Sequence, residues 1–542
     1  MVQRSCHIAR KIMRITHALT IIIVLGVILG ACKIDPAQAP KVSDITIEGH
    51  QMLKDAIREM QPQAVWQNFY DLTRIPRPSG HEEQVRDFLV RFGKGLGYET
   101  QVDQAGNVIV RRPAAAGMEH RQGVILQAHL DMVTEKTPTS TVDFARDPIP
   151  AYVDGEWVKA DGTTLGADDG IGVAVAMAVL QLPVPLGMVE ALFTVEEEAS
   201  ISGVAGAIGI RPGSLQGDIL INLDSEWLGE LVIGSAGGQG GTVDLTHTET
   251  AVPDGMTGLS VSVTGLVGGH SGVDIDKGRG HAIKLLARLL KEISVADGVR
   301  LVSLTGGNAR NVIPREATAV VALPQAQVAA FQAHLAQYES TVNREYAGIE
   351  PHISVQAASV DLPTRVMDAS EQLALVGALD ATLQGVFRMS TTVPGMVSTS
   401  NNLGTVAVGN GRVNVGYLMR SSNDAELDEM DAQLTNIWRA AGMPIGLSGR
   451  GPAWQPDPDS PILALMQTVY KEVTGRDAHV ASIHAGLECG IIHAIIPTLD
   501  TISIGPTVQN VHSPDERLEI ASVKPFYDFL IETIKRVPLK RA

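Results

Sequence analysis

The chain has 542 residues, of which 44% are hydrophobic and 19% are charged, and its formal net charge at pH 7 is −17. A chain of this length and composition is expected to fold into two or more globular domains, which excludes a disordered or fibrous protein. Its acidity argues against nucleic acid as a partner, because the phosphate backbone attracts basic surfaces.

The N-terminal segment has the composition of an export signal. Four basic residues precede an apolar run over residues 18–29, which is short for a membrane span but typical of a signal peptide. The sequence LGAC, ending at Cys32, then resembles a bacterial lipobox. We therefore expect residues 1–31 to be a lipoprotein signal peptide, Cys32 to be lipidated, and residues 32–50 to form a tether.

This pattern predicts an exported bacterial lipoprotein, anchored to a membrane and facing the periplasm from the outer membrane. An uncleaved N-terminal anchor is the alternative. Once Cys32 is acylated, Cys489 is the single thiol left in the mature chain. Burial of a hydrophobic core, not a disulfide, must therefore stabilise the fold.

Residues 51–238 alternate apolar runs with helical stretches. Ser79 followed by Glu82 predicts a capping box that begins a helix through EEQVRDFLVRFGKGLG. The run VILQA, a helix from Asp169, and the runs VEALFTV and ILINL follow in turn. This order predicts an α/β domain with a mostly parallel sheet, which binds ligands at the carboxyl ends of its strands.

Ligand-type side chains follow these strands. They are His129 and Asp131 in QAHLDMV, Asp168 in LGADDG, Glu197 and Glu198 in FTVEEEA, Asp224 in INLDSE, and His512 in VHSPDERL. Any one of these segments also fits turn chemistry or a solvated charge run. Together they predict a site for two divalent ions, because imidazole and carboxylate groups bind zinc and one carboxylate can be shared between ions.

Asp168 is the expected bridge between the two ions. We expect His129 and Asp224 to bind one ion, and Glu198 and His512 to bind the other. Zinc is the expected metal, with Co²⁺ or Mn²⁺ as alternatives.

Two acidic residues are left for other roles. Asp131 lies two residues beyond His129, so on an extended chain it points to the same side and can orient the imidazole. Glu197 is adjacent to the ligand Glu198, but neighbouring side chains at a strand end diverge. Glu197 is therefore the expected general base.

Residues 239–450 lack such motifs and have a different pattern. One series of strands and helices runs from LSVSVTG through QVAAFQAHLAQYESTV, and a second runs from PHISVQAAS through ELDEMDAQLTNIWRAAG. This repeat of pattern predicts an inserted α+β lid domain made of two related halves. The first domain resumes at residues 451–542, where the strand TISIGP leads towards His512.

These motifs, an HxD pair, a DDG turn, an EE pair and a late histidine, resemble the di-zinc aminoacylase, carboxypeptidase and dipeptidase superfamily. The segments GGHSGVDI, GNARNVIPREA, LMRS and IHAGLECG are similar to those of the Xaa-His, or aminoacyl-histidine, dipeptidases. The likeness extends from about Leu53 to Val537. It implies the metal assignment above and Asp131 and Glu197 as catalytic residues. It also implies substrate contacts at His270, Asn311, Arg420 and Gly486.

The function that this resemblance implies is metal-dependent hydrolysis of dipeptides, either Xaa-His or a broader Xaa-Xaa class. A metal-activated water would attack the peptide bond with Glu197 as general base. Arg420 would bind the free carboxylate of the substrate and confine cleavage to short peptides. The expected partners are short peptides and, through the lipid anchor, a membrane; a homodimer is a further possibility.

Three alternatives to a dipeptidase stay open. The same scaffold can carry an N-acyl amino acid amidohydrolase, or an aminopeptidase or tripeptidase. A non-catalytic lipoprotein that binds peptides is the third. Two features also depart from the family: its usual members are cytosolic and have no lipobox, and Glu196 and Ser200 replace the more usual Asp and Gly beside the site.

Overall fold

The structure, a computed structural model, describes residues 50–198 and 205–540. The predicted signal peptide, Cys32 and nearly all of the predicted tether lie outside the described residues. Two large β-sheets, one mixed and one antiparallel, organise the described chain. Within the described ranges, no helix combines the length and the apolar composition that a membrane crossing requires.

An eight-stranded mixed sheet and the helices packed on it form what we call the body. In spatial order its strands are Glu99–Val102, Val108–Arg112, Val189–Thr194, Val124–His129, Ile219–Asn222, Asp500–Ser503, Glu230–Ser235 and His479–Ile483. The four strands from Val189–Thr194 to Asp500–Ser503 run parallel to one another. Their carboxyl ends therefore meet at one edge of the sheet.

The strands Val124–His129, Val189–Thr194 and Ile219–Asn222 are buried along their whole length because both faces of the sheet are covered. Val124 and Leu126 belong to the larger hydrophobic core, whereas Ile125 belongs to a smaller one. The larger core includes the helices Leu53–Ala56, Gln63–Thr73, Glu83–Gly95, Ala167–Gln181, Pro461–Thr474 and Ile520–Arg536. The smaller core includes the helices Ala205–Gly209 and Glu488–Ile495. Helices thus pack on both faces, as the α/β prediction requires.

A five-stranded sheet lies beside these layers. Its strands are Gln51–Met52, Ala151–Asp154, Trp157–Ala160, Arg517–Glu519 and Val508–Gln509. The loop that carries His512 connects the last two of these strands in the chain, so this sheet, and not the strand TISIGP alone, positions that histidine.

The capping box predicted at Ser79 and Glu82 is wrong, although the helix is present at Glu83–Gly95. Glu82 precedes the helix, but its side chain makes no capping hydrogen bond. The Ser79 hydroxyl instead donates a hydrogen bond to Oδ2 of Asp131 at 2.8 Å. A long-range partner has therefore replaced the local one that the sequence pattern favours.

The second large sheet is antiparallel, lies between Gly237 and Gly451, and forms with its helices what we call the lid. Its spatial order is Ser354–Val360, Met256–Thr264, Ala317–Pro324, Arg300–Gly306, Val397–Gly409, Arg412–Ser421, Gly237–Thr246 and Ile445–Gly451, with Gly385–Met389 paired to Val397–Gly409. Short strands pair at Gly269–His270 with Val312–Ile313 and at Glu249–Ala251 with Arg365–Met367. The helices Ala282–Ala296, Val328–Glu345, Ala369–Ala381 and Asp424–Ala440 contribute to one hydrophobic core.

The strand order confirms a lid of two related halves. Each half contains four strands and two helices in the same order, the second half carries Gly385–Met389 as a ninth strand, and the halves meet where Arg300–Gly306 pairs with Val397–Gly409. One division of the sequence was wrong: PHISVQAAS closes the first half, because Ser354–Val360 pairs with Met256–Thr264. The second half takes its first strand, Gly237–Thr246, from before the first half in the chain.

The chain crosses between body and lid at two adjacent places. The Ser235 N–H donates to the Trp454 carbonyl at 3.0 Å, and the Trp454 N–H donates to the Ser235 carbonyl at 3.1 Å. At the first crossing, a Cβ on Gly237 would lie 2.5 Å from the carbonyl oxygen of Gly451. The close backbone approach therefore requires glycine at position 237.

Candidate metal centre

Asp168 lies between two histidines. Its Oδ1 atom is 3.0 Å from Nε2 of His129, and its Oδ2 atom is 3.1 Å from Nε2 of His512. Asp224 Oδ1 is 3.5 Å from Nε2 of His129, and Glu198 Oε1 is 2.8 Å from Nε2 of His512. The structure thus brings together all five side chains for which the sequence predicts metal binding.

These side chains form overlapping groups that could hold metal ions. The groups are His129 with Asp168 and Asp224, Asp168 with Glu198 and His512, and His129 with Glu197 and Glu198; in each, the ligand atoms lie within 4.8 Å of one another. Imidazole nitrogens and carboxylate oxygens suit zinc and other divalent ions. Asp168 belongs to two groups, which is the arrangement expected of a shared carboxylate.

The parallel strands explain why these residues converge. His129 is the last residue of its strand, and Asp224 follows the neighbouring strand at the same edge of the sheet. Asp168 lies in the first turn of the helix Ala167–Gln181, where the backbone leaves helical geometry. The carboxylate of the next residue, Asp169, accepts the His129 N–H at 3.3 Å, and this hydrogen bond holds the Asp168 loop against the end of the strand Val124–His129.

Asp131 holds the histidine and the acidic turn in place. It is fully buried, and its Oδ1 atom is 3.5 Å from Nδ1 of His129. It also accepts the backbone N–H groups of Glu197 at 3.0 Å and Glu198 at 2.9 Å. Burial alone would raise the pKa of Asp131, but its hydrogen bonds outweigh burial and lower the pKa to about 2. Asp131 is therefore an anion that orients both neighbours.

The crowded carboxylates need positive charge beside them. Burial, and then the charge of Asp168, raises the pKa of Asp224 to about 7. Burial and neighbouring acids likewise raise the pKa of Glu197 well above its usual value. Burial lowers the pKa of His512, but hydrogen bonds to Asp168 and Glu198 prevail and raise it to about 11. Bound cations would relieve the same repulsion.

Two buried charged residues that the sequence interpretation missed support the ligand loops. The Glu516 carboxylate accepts the backbone N–H groups of residues 165–168 at distances of 2.7 to 3.2 Å. Arg77 donates to the carbonyl of Leu130 at 2.9 Å and to that of Asp131 at 3.0 Å. No local pattern identifies such roles, although Glu516 follows His512 closely in VHSPDERL.

A layer of buried polar side chains lies beneath the centre. Glu488 Oε2 accepts from Gln127 Nε2 at 2.6 Å and from Thr194 Oγ1 at 2.5 Å. Gln127 in turn accepts from Asn222 Nδ2 at 2.6 Å. Burial raises the pKa of Glu488 to about 8 and that of the Cys489 thiol well above its usual value. The Cys489 thiol is fully buried, so packing and not reactivity describes it.

The lid contributes His270 in a tight turn. The N–H groups of Gly272 and Val273 donate to His270 Nδ1 at 3.3 and 3.4 Å, so the ring proton belongs on Nε2. Burial, and then the charge of Arg420, lowers the pKa of His270 to about 4. Asn311 is exposed, and its carbonyl accepts the Ser271 N–H at 2.8 Å, which places it beside this turn. His270 is therefore a neutral donor at physiological pH.

Arg420 belongs to the lid and Gly486 to the body. Arg420 lies in the strand Arg412–Ser421, between Ser400 and Gly238 of the adjacent strands. Burial lowers the pKa of Arg420 to about 10, which leaves it a cation at neutral pH. Gly486 is exposed, in the loop before the helix Glu488–Ile495.

The backbone at Glu196 has a positive φ of 56°, in the left-handed region that favours Asp and Asn among the non-glycine residues. Its N–H donates to Glu82 Oε1 at 3.2 Å. Glu therefore occupies at position 196 a backbone conformation that Asp adopts more readily. Position 200 lies outside the described residues.

A mixed body sheet with clustered metal-ligand side chains at its carboxyl edge, joined to an antiparallel lid, defines a metal-dependent hydrolase of the two-domain peptidase type. The chain belongs to peptidase family M20/M25/M40, whose model matches residues 125–536. The predicted fold class and enzyme class are thus confirmed.

Individual relatives narrow the likeness. The chain is 41% identical over 485 residues to the cytosol non-specific dipeptidase of Escherichia coli (strain K12), covering 89% of this chain and 99% of the relative. Its structure is similar to the crystal structure of aminoacylhistidine dipeptidase from Vibrio alginolyticus, with a TM-score of 0.81, 40% identity, and coverage of 90% and 99%. A tripeptidase from Staphylococcus aureus shares the fold at 16% identity, with a TM-score of 0.51 and coverage of 88% and 99%.

The predicted localisation, an exported lipoprotein anchored in the outer membrane and facing the periplasm, is wrong. The E. coli relative, matched over 99% of its length, is by name a cytosol enzyme. No finding supports a lipid anchor at Cys32. The prediction relied on a short apolar run and a four-residue motif within residues 18–32, which lie outside the described residues.

Proposed function

We propose that this protein is a metal-dependent dipeptidase. The observation that carries the proposal is the position of Asp168 between the His129 and His512 groups, with Glu197 beside them. The likeness to a non-specific dipeptidase at 41% identity and to an aminoacylhistidine dipeptidase at 40% identity supports dipeptides as the substrate class. The first name describes a broad range of dipeptides and the second only dipeptides that end in histidine, so both Xaa-His and other Xaa-Xaa dipeptides belong in the test.

The ligand set suits two divalent ions, and zinc is the metal we propose. His129 and Asp224 would hold one ion, Glu198 and His512 the other, and Asp168 would be shared. When bound, such ions polarise a peptide carbonyl and lower the pKa of water.

Glu197 is the proposed general base. It takes a proton from the attacking water and returns it to the leaving amine, as one carboxylate can do in succession. Its backbone N–H donates to Asp131 at 3.0 Å, which fixes the turn while leaving the carboxylate for proton transfer. His270, whose ring proton lies on Nε2, donates to the carbonyl oxygen as negative charge develops there.

The lid supplies the proposed recognition of the substrate's free carboxylate. Arg420 offers a planar cation that suits a carboxylate, and this requirement limits cleavage to short peptides. Asn311 and Gly486 are proposed to contact the substrate backbone from either side. Since residues of body and lid must surround one small molecule, closure of the lid is part of the proposed cycle.

The proposed domains are a catalytic domain of residues 51–238 and 451–542 and an inserted lid of residues 239–450. The two backbone crossings at Ser235 and Trp454 support these boundaries within a few residues. A homodimer stays a prediction.

The experiment is a substrate panel with the purified protein of measured metal content. Xaa-His dipeptides including β-Ala-His, other dipeptides, tripeptides and N-acyl amino acids are compared before and after a chelator. We expect dipeptides to have the highest kcat/KM, and activity to disappear with the metal and return with added Zn²⁺. Preferred cleavage of N-acyl amino acids or tripeptides, or dipeptide binding without turnover, would overturn the proposal.

A further inference from the structure

His484 is a buried histidine with one ring nitrogen in use. Its Nε2 atom is 2.7 Å from the Ser400 hydroxyl, and the residue is only 4% exposed. Among residues 50–198 and 205–540, no group forms a well-aligned hydrogen bond with Nδ1 of His484 or with Nε of Arg420, although the backbone of Val397 is close enough to the imidazole to oppose the fall in its pKa. Buried polar atoms are usually paired, so two such atoms on residues that both neighbour Ser400 mark a place where a partner from outside the chain can bind.

Three segments bring these groups together. Ser400 and Arg420 are direct neighbours on adjacent lid strands. His484 belongs to a body loop whose position is fixed because the Ala236 N–H donates to the carbonyls on both sides of His484, at 3.1 and 3.0 Å. The loop also packs against the His270 turn, where a Cβ on Gly272 would lie 2.5 Å from the His484 carbonyl oxygen. The cluster therefore joins body and lid beside the turn that carries His270.

The charges of the cluster select an anion. Burial, and then the nearby Arg420 and His270, lowers the pKa of His484 to about 3, so its imidazole is neutral. When the Ser400 hydroxyl donates to Nε2, the ring proton lies on Nδ1, and that atom becomes a donor. A neutral N–H donor beside a guanidinium matches the two oxygens of a carboxylate.

We propose that His484 is a second recognition residue for the substrate's α-carboxylate, acting with Arg420, and that Ser400 fixes the tautomer in which His484 donates. This inference rests on the proposed function and adds to it a body residue in a subsite otherwise built by the lid. A free carboxylate then contacts both parts of the molecule at once. A peptide extended at its C-terminus places an amide there, which cannot accept from both donors in the same way.

The test compares one dipeptide, Ala-Ala, as the free acid and as the C-terminal amide. His484→Phe keeps the ring volume and removes the donor, whereas Ser400→Ala removes only the group that orients the imidazole. We expect His484→Phe to raise KM for the free acid about tenfold or more, with little change in kcat and little change for the amide. Ser400→Ala should shift the acid-to-amide ratio in the same direction by a smaller factor.

The matched control is His281→Asn, because His281 is also 4% exposed but caps the lid helix Ala282–Ala296, a role that Asn can fill. It should leave the acid-to-amide ratio at the wild-type value. Equal losses on acid and amide in His484→Phe, or no loss on either, would overturn the inference. Calorimetric titration with histidine and with histidine amide measures the preference for a free carboxylate as a difference in binding affinity, without turnover. If the wild type hydrolyses no dipeptide, that result therefore refutes only the proposed function.

Discussion

The Glu516 Oε1 atom accepts a hydrogen bond from the backbone N–H of Asp168 at 3.2 Å, across 348 positions of sequence. The same carboxylate accepts the three preceding N–H groups of that loop. The residue that positions the Asp168 loop therefore belongs to the segment that carries His512. Glu516 thus connects the loop that carries Asp168 to the segment that carries His512 through backbone hydrogen bonds.

Replacing Glu516 with Gln should weaken metal binding. The amide keeps one acceptor oxygen but turns an N–H₂ group towards backbone donors, so the Asp168 loop loses part of its support. We expect about a 10- to 100-fold loss in metal affinity, measured by competition with a chelator, and a parallel fall in kcat. Asp515→Asn, at the exposed neighbouring position, is the control. Wild-type metal affinity in Glu516→Gln would contradict the positioning role.

Glu197→Gln should abolish peptide hydrolysis while the metal stays bound. The amide cannot take a proton from water, whereas the proposed ligands remain in place. We expect kcat to fall by about 10²- to 10⁴-fold with unchanged metal content, measured by steady-state kinetics and elemental analysis. A variant that retains full activity rules out Glu197 as the base, and one that loses its metal would show that Glu197 is itself a ligand.

The variant Ser79→Ala tests whether the Ser79 hydroxyl supports the proposed catalytic residue Asp131 or caps the helix Glu83–Gly95. The hydroxyl donates to Asp131, so its loss should lower kcat/KM several-fold, while the helix Glu83–Gly95, which it does not cap, keeps its stability. Ser460 provides the comparison because its hydroxyl accepts the Leu463 N–H and so caps the helix Pro461–Thr474. Ser460→Ala should cost about 1 kcal/mol in the free energy of unfolding and leave kcat/KM unchanged. The reverse pattern would restore the capping interpretation of Ser79.

Asp431 should make the lid less stable as the pH rises. Burial raises the pKa of Asp431 to about 6, above the value of 3.8 expected when unfolded, with Arg450 opposing the shift. The folded state therefore binds more protons between these values, and stability is lost as the pH rises through about 6.

Asp431→Asn removes this dependence. At pH 8 the free energy of unfolding should increase by about 1 kcal/mol, after allowance for solvent screening, and at pH 4 it should change little. Urea denaturation at the two values of pH measures the difference. Asp428→Asn, at an exposed carboxylate that also contacts Arg450, should show no such pH-dependent gain. An equal effect of both variants would contradict the assignment to burial.

The ligand positions could be predicted because each proposed ligand follows a strand or begins a helix in a recognisable motif. His129 follows VILQA, and Asp224 follows ILINL, so once these strands are taken to pair in parallel, both residues come to one edge of the sheet. Ser79 was misread because a capping signature is local, whereas its partner Asp131 is distant in sequence. Glu516 could not be found at all, since nothing in its neighbours encodes a bond to residues 165–168.

The division of the lid shows the same limit. Alternating patterns predicted strands and helices in the correct order, but pairing between strands decides which half a strand joins. Ser354–Val360 pairs with Met256–Thr264 across two helices and two strands of the same sheet, a choice that only long-range packing makes. His484 stands in the motif IHAGLECG, yet its burial and its contact with Ser400 appear only in three dimensions.

The two hydrogen bonds between Ser235 and Trp454 bring the two ends of the lid together, so the lid is an insertion that could be removed as a unit. Its entry and exit already touch, so a short turn could replace the whole insertion without breaking any strand of the eight-stranded sheet. Lids from other members of the family could be grafted at the same junction. The lid's share of substrate recognition then becomes separable from the metal chemistry, exchangeable through one pair of splice points.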